Sequence, residues 1–178
     1  MTVHDPVFDP VAIVGWAIDS GIYDVMYSRW GWPIVEIVHF TGLCLLLGTV
    51  GAFDLRMIGW VKGLPLDALH RLVPFGVAGF GLSAASGLMF VVSAPDQYLY
   101  NPAWQIKMVL LGIAGLNMAL FYAIEARGLR HLAPDAVPPA AARFFAAVSL
   151  TAWFGVIACG RVITAFRPPA WEWCAWCG

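Results

Sequence analysis

Charged residues are scarce in this sequence. Only 12% of the 178 residues are Asp, Glu, Lys or Arg, whereas a soluble domain usually has about 25%. Hydrophobic residues make up 61% of the chain, and the mean hydropathy is +0.76. A body this small has too much surface per volume to bury so many apolar side chains. The side chains must therefore face lipid or one another, and the composition predicts an integral membrane protein.

Several sequence features that mark other classes of protein are also missing. The net charge is −1 and there is no run of Lys or Arg, which argues against nucleic acid as a partner. There is no phosphate-binding loop, serine nucleophile elbow or pair of catalytic carboxylates, so a soluble-type hydrolase or kinase is excluded and the chain is predicted not to be an enzyme by itself. The first ten residues are acidic and lack the basic start of a cleaved signal peptide.

Four apolar segments are long enough to cross a bilayer, which requires about 20 helical residues. They run over 34–53, 72–93, 103–124 and 144–166, and prolines or charged residues bound each of them. The predicted fold class is therefore an all-α membrane protein, a four-transmembrane-helix bundle over residues 33–166.

Residues 10–27 have a different pattern. Asp9 can cap a helix and Pro10 can occupy its first turn, and apolar residues then recur at helical spacing. This predicts an N-terminal amphipathic helix at the membrane interface, within a lead-in of residues 1–32. The alternative is a fifth span, in which Asp19 and Asp24 would each cost a few kcal/mol near mid-membrane.

Basic residues are distributed unevenly among the connections. Six fall in the first and third connections and two elsewhere, which predicts that these two connections are cytoplasmic and that both termini lie outside. The six are Arg56, Lys62, Arg71, Arg127, Arg130 and Arg143, and the two are Arg29 and Arg167.

Small residues recur every four positions in two of the spans. The second span contains Gly79, Ser83 and Gly87, and the fourth contains Ala147, Thr151, Gly155 and Cys159. Such stripes let helix backbones approach closely, so both are predicted to lie at contacts that hold the bundle together.

Short strings along residues 33–166 carry a resemblance to a known family. They are VHFTG at 38–42, LLLG at 45–48, DLR at 54–56, YLYNPAWQIK at 98–107, AGLN at 114–117 and GR at 160–161. Together they resemble a bacterial family of small four-helix membrane proteins of unknown function, distantly similar to the membrane domain of CopD-type copper-resistance proteins. The resemblance implies a multi-pass protein of the bacterial inner membrane, and it implies little about function.

Four ionisable residues from three spans share one level in the outer part of the membrane: Glu36, His39, Lys107 and Arg161. Ionisable residues inside a membrane are functional candidates, and we expect these four to converge in one interior pocket. They could form a structural ion-pair network with His39 hydrogen-bonded among them. Glu36 and His39 are three residues apart, which is the spacing found in di-iron helix bundles. A di-iron site needs a second Glu-x-x-His pair, and this sequence supplies only one.

The same cluster suits three kinds of ligand. Haem b would use His39 and Met89 as axial ligands, with Lys107 and Arg161 on the propionates. A quinone would accept a hydrogen bond from His39 or Lys107. Copper would use His39 with Met89, Met108 or cysteines as soft ligands, whereas Cys44 and Cys159 inside the spans are predicted to be small packing residues.

Two further polar groups lie at the ends of the spans. The first group lies near the inner face and consists of Asp54, Arg56, His70, Arg71, Glu125, Arg127 and His131. These residues are predicted to be solvated interface anchors. The alternative is that His70 and His131 share a ligand. The tail, residues 167–178, is rich in Trp and Cys. It fits an interfacial anchor, but Cys174 and Cys177 could also form a disulfide or bind a metal.

These features favour a membrane redox component that binds haem b or quinone at the outer cluster. The alternatives are a copper-handling or transport protein, and an accessory subunit of a membrane complex without a site of its own. The expected partners are the lipid bilayer and either a quinone or a membrane redox partner, and a homo-oligomer is compatible with the sequence.

Overall fold

The computed structural model of the chain describes residues 9–125, 129, 133 and 136–166. This part of the chain contains helices and no strand. In chain order the elements are α1 (Pro10–Asp19), α2 (Ile22–Tyr27), α3 (Gly31–Ile58), α4 (Leu66–His70), α5 (Val73–Ser93), α6 (Pro95–Tyr98), α7 (Pro102–Ile124), α8 (Ala140–Val162) and a 3₁₀ turn (Ile163–Phe166).

Helices α3, α5, α7 and α8 are long and apolar enough to cross a membrane. The predicted all-α fold with four transmembrane helices is therefore confirmed, and three of the spans lie within a few residues of the predicted bounds. The first span is longer than predicted, because α3 begins at Gly31 and continues to Gly59, whose φ of 94° ends it. Asp54 and Arg56 therefore belong to the helix rather than to a loop.

The N-terminal segment forms two short helices rather than one. Asp9 caps α1 by accepting a hydrogen bond from the Val11 amide, as predicted, but Gly21 has a φ of 73° and separates α1 from α2. Both helices pack on α5, and the Tyr27 hydroxyl donates to the Ser93 carbonyl over 3.3 Å. Partial burial, with Tyr23 and Asp96 nearby, raises the pKa of Tyr27, so this donor keeps its proton. The location of the segment at a membrane interface stays a prediction.

The spans pack in the order α5, α3, α8, α7. Helices α3 and α5 touch through their backbones: a Cβ added to Gly42 would lie 2.7 Å from the Gly79 carbonyl oxygen and 2.8 Å from the Ser83 nitrogen. Asn101 joins α7 to the end of α8. Its side-chain oxygen accepts from the Ala103 amide, and its side-chain nitrogen donates to the Ile163 carbonyl. We call the end with α1, α2 and α6 the outer end, and the end with residues 59–65 the inner end.

The predicted packing stripe is confirmed on α5 and is partly wrong on α8. Gly155 contacts Leu110 of α7, but Ala147 and Thr151 are exposed. The reason is geometrical, because an α-helix has 3.6 residues per turn and a four-residue repeat moves around the helix by about 40° at each step. Three steps therefore turn the stripe away from its first neighbour.

Topology can be tested with alkaline phosphatase fusions. An enzyme fused after Gly178 is expected to be active, because the basic residues near the inner end predict that this end is cytoplasmic. A fusion after Lys62 is the control and is expected to be inactive. An inactive but well-expressed fusion at Gly178, with activity at Lys62, would reverse the orientation.

Candidate functional site

His39 is held in one orientation between α3 and α5. Its Nδ1 atom lies 3.0 Å from the Ser86 Oγ atom, and the Ser86 hydroxyl itself donates to the Leu82 carbonyl over 2.6 Å. Because that hydroxyl has a single hydrogen, its oxygen accepts from Nδ1–H. In the neutral imidazole, Nε2 then carries the lone pair and is the atom that can accept a proton donor or a metal.

Aromatic rings connect His39 with the outer end. The His39 ring lies edge-on to Phe90 with 5.8 Å between centroids, and Phe90 is 5.0 Å from Trp32. Gly87 leaves space beside the imidazole, since a Cβ added there would lie 3.5 Å from the His39 Cε1 atom. The surroundings of His39 toward the outer end are therefore apolar and flat.

Lys107 brings a second functional group to this region. Its side chain is half-buried, and Nζ lies 3.7 Å from the position of a Cβ added to Gly160 of α8. Lys107 is the sixth residue of α7 and His39 is the ninth of α3, and both helices begin at the outer end. A hydrogen-bond acceptor and a cationic donor from different spans therefore face the same part of the bundle.

The predicted convergence of all four outer residues is wrong for Glu36 and Arg161. Both side chains are exposed, and Arg161 donates to the hydroxyl of Thr164 on its own helix. Among the described residues, neither of them has a salt-bridge partner. Both lie close to the outer ends of their helices, where long side chains reach water more cheaply than they can be buried as charges.

The packing does not fit a haem held by His39 and Met89. The macrocycle would have to lie between α3 and α5, but these helices touch at Gly42 and Gly79, and His39 already bridges them through Ser86. Within the described residues, no group of three His, Cys, Asp or Glu side chains could hold a metal ion. Cys174, Cys177 and His131 lie outside the described residues.

Two inner residues that were predicted to be solvated anchors are buried. Arg56 is 1% exposed, and its guanidinium donates to the carbonyls of Leu64, Ala133 and Ala136, which ties the inner connections to α3. Asp54 is 5% exposed, and its Oδ2 atom has no hydrogen-bond partner among the described residues. The prediction fails for both residues because α3 continues past them into a packed inner end.

Sequence reasoning missed two polar residues near Asp54. Ser149 of α8 faces the same part of the bundle interior as Asp54. Asn117 of α7 donates to the Phe145 carbonyl over 3.0 Å, which joins α7 to α8. The available signal was a polar side chain in the middle of an apolar span, which is expensive unless it has a partner.

None of the protein-family models, curated proteins or solved structures compared with the chain matches it. The resemblance to the membrane domain of copper-resistance proteins therefore stays an expectation. The site must be interpreted from its own chemistry.

Proposed function

We propose that this integral membrane protein is a redox component that binds a quinone between His39 and Lys107. One observation supports the proposal: an oriented imidazole and a half-buried ammonium, from different spans, both lie in the outer half of the bundle. A quinone carbonyl accepts a hydrogen bond from an ammonium, and a quinol hydroxyl donates one to Nε2. The pair thus suits both forms of the ligand.

The flat apolar surroundings support the same class of ligand. Phe90 and Trp32 offer ring faces and edges next to His39, and aromatic pairs favour offset or edge-to-face contact. Haem is not proposed, because α3 and α5 leave no gap for it. In this proposal a separate membrane protein exchanges electrons with the quinone.

Quinone content and affinity test this function. Protein purified in detergent from its native host is expected to contain extractable quinone, and a short-chain ubiquinone analogue should bind by calorimetry. Lys107→Met should weaken binding of the quinone roughly 10- to 100-fold, which corresponds to about 1.5–3 kcal/mol for a lost charge-assisted hydrogen bond. His39→Ala should weaken binding of the reduced, quinol form of the analogue by up to about tenfold, because the neutral Nε2 atom accepts a hydrogen bond only from the quinol hydroxyl. His70→Ala, a half-buried histidine at the inner end, is the control and should bind normally.

The results separate this function from its alternatives. If His39 is only structural, His39→Ala should lower the free energy of unfolding by roughly 1–3 kcal/mol and leave binding of the quinol form unchanged. Wild-type protein without quinone would contradict the proposal. Stoichiometric copper in its place would favour a copper-handling function.

A further inference from the structure

A cavity of about 380 Å³ opens in the inner half of the bundle, away from His39. Its walls come from all four spans and from α4. Over their described lengths, α5 and α7 do not pack closely against each other, so the cavity lies at the gap between these two helices. Its size is within the usual range for small-molecule sites, about 300–1,000 Å³.

Among the described residues that line the cavity, one bears a charge and has no ionic partner there. The Asp54 carboxyl lines it, and Oδ2 is buried without a hydrogen-bond partner in the described part of the chain. No Lys, Arg or His is among the described residues that line the cavity. Arg56 is two residues away, but its guanidinium donates to carbonyls of the inner connections. A buried carboxylate needs a counter-charge, and the described lining residues supply none.

Aromatic side chains form much of the remaining wall. They are Phe53, Phe80, Phe121, Tyr122, Phe145 and Trp153. The faces of aromatic rings attract cations, most strongly where water is excluded, and aromatic walls are a common way to bind quaternary ammonium groups. A carboxylate enclosed by aromatic rings is therefore complementary to a positive charge on an apolar molecule.

We infer that this cavity binds an apolar organic cation from the bilayer, with the positive charge beside Asp54 and the apolar groups against the aromatic walls. The ion pair forms at the carboxylate, so a proton held on the Asp54 carboxyl leaves when the cation binds. Cation and proton then compete for one group, and one proton is released for each cation bound. This inference goes beyond the quinone site and does not depend on it.

Few other titratable groups lie near Asp54 in the described part of the chain. On α7, Tyr122 lines the cavity, and on α4 the His70 ring lies edge-on to Phe53 at 5.5 Å. On α3 itself, Arg56 is the nearest cation in sequence. Helices α5 and α8 contribute no titratable side chain to the lining. Asp54 is therefore the group whose proton the cation displaces.

Calorimetry on the full chain in detergent tests the inference with tetraphenylphosphonium as the probe. The cation should bind, its affinity should rise with pH, and titrations in two buffers of different ionisation enthalpy should report one released proton. Tetraphenylmethane has the same shape without the charge and should not compete. Equal competition by tetraphenylmethane would mean that the cavity is a site for any apolar group, and would overturn the inference.

Matched variants locate the binding. Asp54→Asn should weaken binding at least tenfold, Asp54→Glu should retain proton-coupled binding, and Asp67→Asn, an exposed carboxylate on α4, should have no effect. Unchanged affinity in Asp54→Asn would refute the role of the carboxylate.

A second variant keeps the test decisive if Asp54→Asn folds poorly. Gly115 lines the cavity and a Cβ there meets nothing within 4 Å, so Gly115→Phe should fill the space and abolish binding. Gly112→Phe is the control, because Gly112 has the same free space outside the lining. Quinone binding should be unchanged in Gly115→Phe, and cation binding should be unchanged in His39→Ala. The proposed quinone site and the proposed cation site can therefore be refuted independently. Cation binding unchanged by Gly115→Phe would contradict the assignment.

Discussion

Gly42→Ala is expected to lower the free energy of unfolding by roughly 3 kcal/mol, at the upper end of the usual overpacking cost. The added methyl group would lie 2.6 Å from the Ser83 Oγ atom, 2.7 Å from the Gly79 carbonyl oxygen and 2.8 Å from the Ser83 nitrogen. Two of these three atoms belong to the backbone, so no rotamer change relieves the clash. Helices α3 and α5 would have to separate, which would also stretch the hydrogen bond from the Ser83 hydroxyl to the His39 carbonyl.

Gly48→Ala is the matched control on the same helix. A Cβ at Gly48 meets nothing within 4 Å, so its effect should stay within about 1 kcal/mol, the range of helix propensity. Unfolding by sodium dodecyl sulfate in mixed micelles, followed by tryptophan fluorescence, measures both variants. Equal effects at the two positions would show that the close contact between α3 and α5 does not carry the stability assigned to it.

Arg56→Ala is expected to cost roughly 2–5 kcal/mol, because the change removes a fully buried side chain together with its charge-assisted hydrogen bonds to three carbonyls. The carbonyls belong to Leu64, Ala133 and Ala136, so the variant should loosen both inner connections at once. Faster proteolysis within 59–65 and 126–139 should accompany the lower stability.

Lys62→Ala provides the comparison for Arg56. Lys62 is an exposed cation in the first inner connection, and its removal should change stability by no more than about 0.5 kcal/mol. If Arg56→Ala is as mild as Lys62→Ala in the same micelle titration, the guanidinium does not hold the connections to α3.

The number of spans and most of their bounds could be predicted from the sequence. An apolar run of about 20 residues must cross the membrane as a helix, and this depends on properties that each residue brings by itself. The start of α7 could also be predicted, because Asn101 and Pro102 are local helix-start signals. In the structure Asn101 caps the helix and Pro102 lies in its first turn. The end of α3 was not, since the charge at Asp54 suggested a boundary while the helix continues to Gly59.

The candidate site could also be predicted only in part from the sequence. The sequence indicated that His39 and Lys107 lie at one level, and in the structure both lie in the outer half of the bundle. The sequence also grouped Glu36 and Arg161 with them, but in the structure those two side chains are exposed. Depth along a span follows from counting residues at 1.5 Å each, whereas the side that a residue faces depends on which helix packs beside it.

The sequence by itself determined that this is a four-span, all-α membrane protein, because the cost of placing each residue in lipid adds up along one segment. Only the tertiary structure decided that the buried Arg56 side chain holds the inner connections to α3. It also decided that Asp54 faces an aromatic cavity between α5 and α7. Burial of a polar group depends on neighbours from other helices, and those contacts follow from helix packing at sites such as Gly42 and Gly79. Local hydropathy therefore predicts where a helix crosses the membrane, and packing decides which of its polar side chains can bind a ligand.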